Sequence, residues 1–480
     1  MNIHRILLLL VVATLTACAT GGVEPRSTEV DAARLSLGKA GEEAGALVPW
    51  PEEEWWRAYG DPQLDSLVAE ALAGSPFLQV ARARVDKALA LAGAADAARS
   101  PRVDADLQLE RQRFSEHDVY PPPYGGSTWN SGRLALDFSY EFDFWGRNRD
   151  RLEAALTQAE AARADAYTAR LLLAVAVTRS YMEFDRLLAQ RDIALALQRD
   201  KAELNRLQSL RREAGLDSDA ELKQAAASLA AAQSDVAALD VQIALVRHQL
   251  AALLGKGPDR GDAIAPPSLS LSRAPGLPTV LPAELLGRRP DVMAQKLRAE
   301  AASKELAAAK ADFYPNVNLA AFLGAQALGL GQLLKAGSGI AGVGPALSLP
   351  LFDGGRRRAN LALRTADYDA AVEQYNLAVL MALRDVADTL ATWRGVETQR
   401  FSRAAALADL EAHAGLVAKR QAAGLTSRMA VIEAESRALA MKQALTDLDA
   451  RRMEASVNLA RVLGGGYPAL AGMDHPKRMN

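Results

Sequence analysis

Residue types that could do chemistry are few in this 480-residue chain, and their spacing argues against catalysis. The five histidines are scattered and there is a single cysteine. No HExxH pair occurs, so the sequence writes in no metal site, and no intrachain disulfide can form. A GxxxxGK[ST] phosphate loop is missing too. Gly337-Ser338-Gly339-Ile340-Ala341-Gly342 matches GxGxxG by letter, but it precedes a strand pattern instead of opening a helix, which removes a dinucleotide site. A formal net charge of -2 gives nucleic acid no global electrostatic attraction. Without a convergent polar constellation, an enzyme is the least supported class. Three features remain: one cysteine in a special context, arginines at two glycine junctions, and acids around two Ala-Gly-Leu turns.

The cysteine closes an N-terminal pattern. Met1 to Arg5 is basic, Ile6 to Ala13 is apolar, and Leu15-Thr16-Ala17 leads into Cys18. Residues 1–17 therefore read as a secretion signal. The small residues before Cys18 resemble the lipobox of bacterial lipoproteins. That resemblance implies cleavage before Cys18 and a diacylglyceryl group on its thiol, a covalent lipid with no other cofactor. Ala19, where an aspartate is absent, resembles lipoproteins sent to the outer membrane. Residues 18–60 then form a lipid-anchored tether, small, polar and glycine-containing up to Pro49.

The elements that must position the other features come in duplicate. Gly146-Arg147 returns as Gly355-Arg356, Gln190-Arg191 as Gln399-Arg400, Ala214-Gly215-Leu216 as Ala423-Gly424-Leu425, and Leu254-Gly255 as Leu463-Gly464, all at a spacing of 209. Upstream, Pro76 matches Pro290 at a spacing of 214, so the first copy has about five more residues between its strands. The two structural repeats span 61–254 and 282–464. A proline- and glycine-rich connector, 255–281, separates them, and 465–480 is a tail.

From Arg147 to Ala214 there is neither glycine nor proline, which as a helix would reach roughly 100 Å. Leu216 to Leu254 is also free of breakers. Gly215 suits a left-handed C-terminal cap, and Ser218 with Glu221 a capping box, so the pair reads as a helix–turn–helix tip. The second copy repeats the tip at Gly424-Leu425-Thr426-Ser427 without the glutamate, and Gly395 and Gly415 in its long helix predict bending or irregularity. Hairpins this long must pack on one another as coiled coil to hide their apolar stripes. No internal run approaches the roughly 20 apolar residues of a membrane-spanning helix.

Four stretches alternate as strands: Val103–Glu110, Leu134–Phe142, Val317–Leu323 and Val343–Leu351. Alternation fits a sheet on a soluble core or a barrel with lipid outside and water inside. Phe142, Phe144 and Trp145 at a strand end favour the membrane, where aromatic girdles sit. Open sheet edges are forbidden in lipid, and four strands cannot close a barrel. Several chains must then share one, and two, three or more satisfy this requirement equally.

Taken together, the lipobox, the segment Trp55-Trp56-Arg57-Ala58-Tyr59-Gly60-Asp61-Pro62, the junctions Phe144-Trp145-Gly146-Arg147 and Phe352-Asp353-Gly354-Gly355-Arg356, and the paired tips resemble the TolC-like outer-membrane efflux channels, above all their lipoprotein branch. The resemblance covers nearly the whole mature chain. It implies a mainly α-helical homotrimer with a transmembrane β-barrel: four strands per protomer form a shared 12-stranded barrel that continues into a coiled-coil tunnel. It also implies a passive exit duct in the outer membrane of a Gram-negative bacterium. The energy comes from an inner-membrane transporter of the resistance-nodulation-division type, joined through a periplasmic adaptor. Adaptor docking maps to the tips, Gly215, Leu216, Ser218, Gly424, Leu425, Thr426 and Ser427. Family gate acids map to Glu221 and Glu433, with Asp217 and Asp219 nearby and Arg420 and Arg428 as partners. Glu221 has a competing role as the capping-box residue. The barrel–tunnel junctions are Trp145, Gly146, Arg147, Gly354, Gly355 and Arg356. Arginines at a helix start oppose the helix dipole, so they face membrane phosphates or neighbouring acids, or are simply solvated. The competing non-enzyme reading is a lipid-anchored periplasmic helical scaffold without a channel.

Overall fold

The computed structural model describes residues 24–31, 34–38, 49–270 and 287–468. In chain order these give α1 (Pro62–Gly74), α2 (Pro76–Ala97), β1 (Arg102–Arg113), β2 (Thr128–Phe142), α3 (Arg147–Glu213) and α4 (Asp219–Leu253). After a short α5 (Pro258–Asp262) come α6 (Pro290–Ala311), β3 (Asn316–Leu328), β4 (Gly339–Ser348), α7 (Arg356–Ala422) and α8 (Arg428–Val462). In the helices the duplication holds to the residue. Helices α3 and α7 have 67 residues each, α4 and α8 have 35, and α2 and α6 have 22. Arg191 bridges Asp240 across the first hairpin at 2.5 Å, and Arg400 bridges Asp449 across the second at 2.5 Å. One repeated sequence pair thus marks one repeated interhelical contact.

The repeats are not the compact units. Among the described residues, one unit combines 24–29, 84–162 and 295–375; the other combines 30–31, 34–38, 49–83, 163–270, 287–294 and 376–468. The first holds the four-stranded antiparallel sheet, ordered β1-β2-β3-β4. The second holds the main hydrophobic core, in which Trp55, Trp56 and Tyr59 pack with Leu64, Leu67, Tyr181 and Phe184. Asp61 caps α1 there. Its buried carboxylate accepts from the Gln63 N–H, the Tyr181 hydroxyl at 2.8 Å and the Ser268 N–H at 2.8 Å. Burial alone would raise its pKa, but these donors together hold it below the usual aspartate range.

Several sequence expectations change, the first being strand length: β1 runs on to Arg113, β2 starts at Thr128, β3 runs on to Leu328 and β4 starts at Gly339. The fourth strand ends at Ser348 instead of Leu351. Its ladder with β3 runs from Asn316↔Ser348, and the next partner along would be Pro315, which has no N–H to give. Helix α7 runs unbroken through Gly395 and Gly415, because neither glycine is at a helix end and its neighbours keep the hydrogen-bond ladder. Finally, α4 is apolar enough by composition to cross a membrane, with mean hydropathy 1.4 over an 18-residue window only 17% buried. Its alanines raise that value, and the Arg191–Asp240 bridge ties it to α3 as the return arm of a hairpin.

Candidate functional site: sheet faces, junctions and hairpin tips

Register decides what the sheet does. Val103 pairs with Phe138, Ala105 with Leu136 and Leu107 with Leu134. Leu136 continues to Leu323, and Leu323 to Ala341; Phe138 continues to Ala321, and Ala321 to Val343. Paired residues share a face, so this face is apolar on all four strands. It is also bare: Val103, Leu107, Leu136, Leu323 and Val343 are each more than half exposed. The opposite face carries Asp104, Asp106, Gln108, Arg133 and Asp137. Strands β1 and β4 each have an unpaired edge among the described residues.

Each strand pair hands over to a long helix through a glycine turn. Gly146 has φ 76°, and Gly354 and Gly355 have φ 67° and 91°, values that favour glycine at a sharp change of direction. The first arginine meets acids. Arg147 contacts Glu141 at 2.6 Å and Asp312 at 3.5 Å. Arg356 is exposed, whereas the next residue, Arg357, bridges Asp353 at 2.8 Å. Trp145 donates its indole N–H to the Pro315 carbonyl at 2.8 Å and stacks on Tyr314 at 4.6 Å. The acids that cap these helices escaped the sequence reading. An Asp143 carboxylate oxygen accepts from the Arg149 N–H at 2.8 Å, and Asp353 accepts from the Gly355 and Arg357 N–H groups. The signal was present, since an aspartate just before a helix start is a preferred cap.

At the first tip Gly215 has φ 71°, and at the second Gly424 has φ 72°. The Leu216 N–H reaches back to the Arg211 carbonyl at 2.8 Å, and the Leu425 N–H to the Arg420 carbonyl at 2.9 Å, the hydrogen-bond pattern of a glycine-terminated helix. Leu216 and Leu425 are exposed at 65% and 69%. Ser218 and Glu221 form the expected capping box. Ser427 caps α8 by accepting from the Ala430 N–H at 3.3 Å, with Thr426 beside it. Asp217 receives two bonds from Arg211, at 2.6 and 2.9 Å, and Asp219 one from Arg212 at 2.7 Å. The Arg211 guanidinium holds Asp217 below the usual carboxylate range, and the Ser218 hydroxyl does the same for Glu221. Glu433 bridges Arg437 at 2.5 Å within its own helix. Arg428 bridges Glu435 at 3.5 Å, so the expected Arg428–Glu433 pair is absent within the protomer. The i,i+4 spacing of Glu433 and Arg437 outcompetes it. Cys18 lies outside the described residues.

A model of the outer membrane efflux protein family matches residues 67–256 and 281–465, once in each repeat. The chain belongs to this family. It is 41% identical over 362 residues to the fusaric acid resistance protein FusA of Burkholderia cepacia, spanning 73% of this chain and 67% of that relative. It is 34% identical over 447 residues to the multidrug resistance outer membrane protein MdtP of Shigella flexneri, spanning 88% of each. Among solved structures, the outer membrane protein VceC of Vibrio cholerae superimposes with a TM-score of 0.79 at 34% identity, covering 87% of this chain and all of that one. This efflux protein is therefore an outer-membrane channel protein, and its sheet is the membrane-spanning part. The scaffold reading is set aside. Its relatives in the family are transport channels rather than enzymes.

Proposed function

We propose that three copies of this efflux protein pair β4 of one with β1 of the next, closing a barrel of twelve strands, four from each chain. The observation that carries this reading is the sheet itself: one face apolar and bare across four strands, with two unpaired edges. In hydrocarbon an unpaired edge costs several kcal/mol per group, so the sheet must close with others of its kind. An even number of up-and-down strands per chain makes every β4–β1 seam antiparallel, as the sheet already is.

The duct is passive in this proposal. An inner-membrane transporter of the resistance-nodulation-division type, joined through a periplasmic adaptor, supplies the drive. The adaptor seats on the tips at Gly215, Leu216, Ser218, Gly424, Leu425, Thr426 and Ser427, where the two leucines offer exposed apolar contacts. Glu221, Glu433, Asp217 and Asp219 form the acidic constriction. FusA and MdtP are named for resistance to fusaric acid and to multiple drugs, so the cargo class is small organic toxicants.

A lipid on Cys18 would hold the assembly at the bilayer. The strap after it supports this. The Arg26 and Ser27 N–H groups donate to Asp369 at 2.9 and 3.1 Å, and the Val30 N–H to Asn376 at 2.8 Å. Asp369 lies thirteen residues into α7, about 20 Å from the helix start. The eight residues back to Cys18 span up to about 28 Å when extended, enough to return to the junction level.

The first experiment is the mass of the detergent-extracted assembly, followed by single-channel recording. A trimer that conducts in planar bilayers is expected. A stable monomer would overturn the shared barrel.

A further inference from the structure

The two connections at the far end of the sheet, away from the helices, fold differently. In the β1–β2 connection Phe114 is buried, its ring lies 4.6 Å from that of Tyr120, and Val119 is 84% exposed. The β3–β4 connection, residues 329–338, instead reaches over the apolar face. A Cβ built on Gly132 would meet Leu333 Cδ2 at 3.1 Å, Leu330 Cδ2 at 3.2 Å and Leu109 Cδ2 at 3.5 Å. Gly132 pairs with Leu109 on one side and Ala327 on the other, so its missing side chain belongs to the face that meets lipid. The absent Cβ makes a notch, and the two loop leucines fill it. Leu333 is buried there, Leu330 is half exposed, and Leu334 stands 84% exposed beside Lys335.

We infer that the β3–β4 connection is a membrane-interface wedge that buries Leu330 and Leu334 among the acyl chains of the outer leaflet, and is not a lid over the channel mouth. Its leucines continue the apolar band of the sheet. Part of its backbone is already hydrogen-bonded within the turn and to the adjoining strands. The Gly329 N–H donates to the Asn130 carbonyl at 2.5 Å. The Gln332 carbonyl accepts from both the Lys335 N–H at 3.0 Å and the Ser338 hydroxyl at 2.8 Å. The Gln326 N–H donates to the Ser338 carbonyl at 2.8 Å. Polar backbone left without such partners would resist entry into lipid. Lys335 has the long apolar stem and charged end that suit a residue at the headgroup level.

The inference rests on the membrane placement of the sheet, and one labelling series separates the two. Leu334→Cys, Val343→Cys and Val119→Cys are each expressed in the full chain, reconstituted into liposomes and labelled with a nitroxide. The unsubstituted protein, treated in parallel, reports any labelling of Cys18. Collision with oxygen, which concentrates in lipid, is compared with collision with an aqueous nickel chelate. Position 343, in the middle of the apolar face, should favour oxygen, and position 119 should favour nickel. The wedge predicts that position 334 follows 343, with an oxygen-to-nickel ratio severalfold above that at 119. If 334 matches 119 while 343 favours oxygen, the wedge is wrong and the sheet still spans the membrane. If 343 also favours nickel, the membrane placement of the sheet fails, and the wedge with it.

Discussion

At the residue scale the hairpin tips show how little is needed to end a long helix and begin another. The positive φ of Gly215 and Gly424 has open space around it, so only backbone strain opposes a side chain there. Gly215→Ala should cost about 1 kcal/mol, because an L-residue in the left-handed region brings its Cβ against the carbonyl. That penalty should appear as roughly fivefold faster proteolytic nicking at the tip, with the melting temperature of the assembly unmoved. The Arg211–Asp217 bridge makes a pH prediction. Because the folded carboxyl has a lowered pKa, the bridge is intact above the ordinary aspartate range, near pH 4, and is lost as the pH falls through the lowered value. The carboxylate ¹³C shift of Asp217 should therefore titrate below that range, and in Arg211→Gln its midpoint should move up to it. An unchanged midpoint would mean that Arg211 does not hold the carboxyl in solution.

At the element scale the sheet separates two solvents. Leu136 sits between Ala105 and Leu323 on the bare apolar face, whereas Gln108 is on the face with the acids. An arginine near the bilayer midplane costs roughly 2–4 kcal/mol, and one in a water-filled lumen little. Leu136→Arg should lower the denaturant resistance of the reconstituted protein by that amount, and Gln108→Arg should leave it close to the original. Equal effects from the two variants would contradict the assignment of faces. The long helices are simpler objects. Their lengths repeat at 67 and 35 residues because the same capping glycines and serines recur at a fixed spacing.

At the scale of the whole molecule, the exposed leucines of the sheet and the exposed apolar side chains of α4, such as Val241 and Leu245, are surfaces that one chain leaves bare. Assembly is the physical answer to both. The gate proposal is tested at this scale. Within one protomer Glu433 is engaged with Arg437 and is 67% exposed, so it retains room to meet a neighbouring chain. Glu433→Ala should raise the leak conductance of the resting channel in bilayers. Unchanged conductance would remove Glu433 from the constriction.

Much of this protein was legible from local rules. The duplication shows as residue pairs recurring at one fixed spacing, and the two hairpins, the left-handed tip glycines, the capping box at Ser218 and Glu221, and the alternating strands follow from propensities acting within a few residues. Strand ends were less legible, because β4 stops where its partner strand has Pro315, a residue distant in sequence. The salt-bridge partners of Glu433, Arg428 and Arg147 were also hidden, since several opposite charges lie within reach of each and only packed geometry chooses among them. Sequence by itself determined the elements and the alternation of each strand taken singly. Tertiary structure alone decided the register, and register is what brings four separate alternations onto one continuous apolar face, because pairing one residue out of step would have turned a strand's leucines inward among the acids.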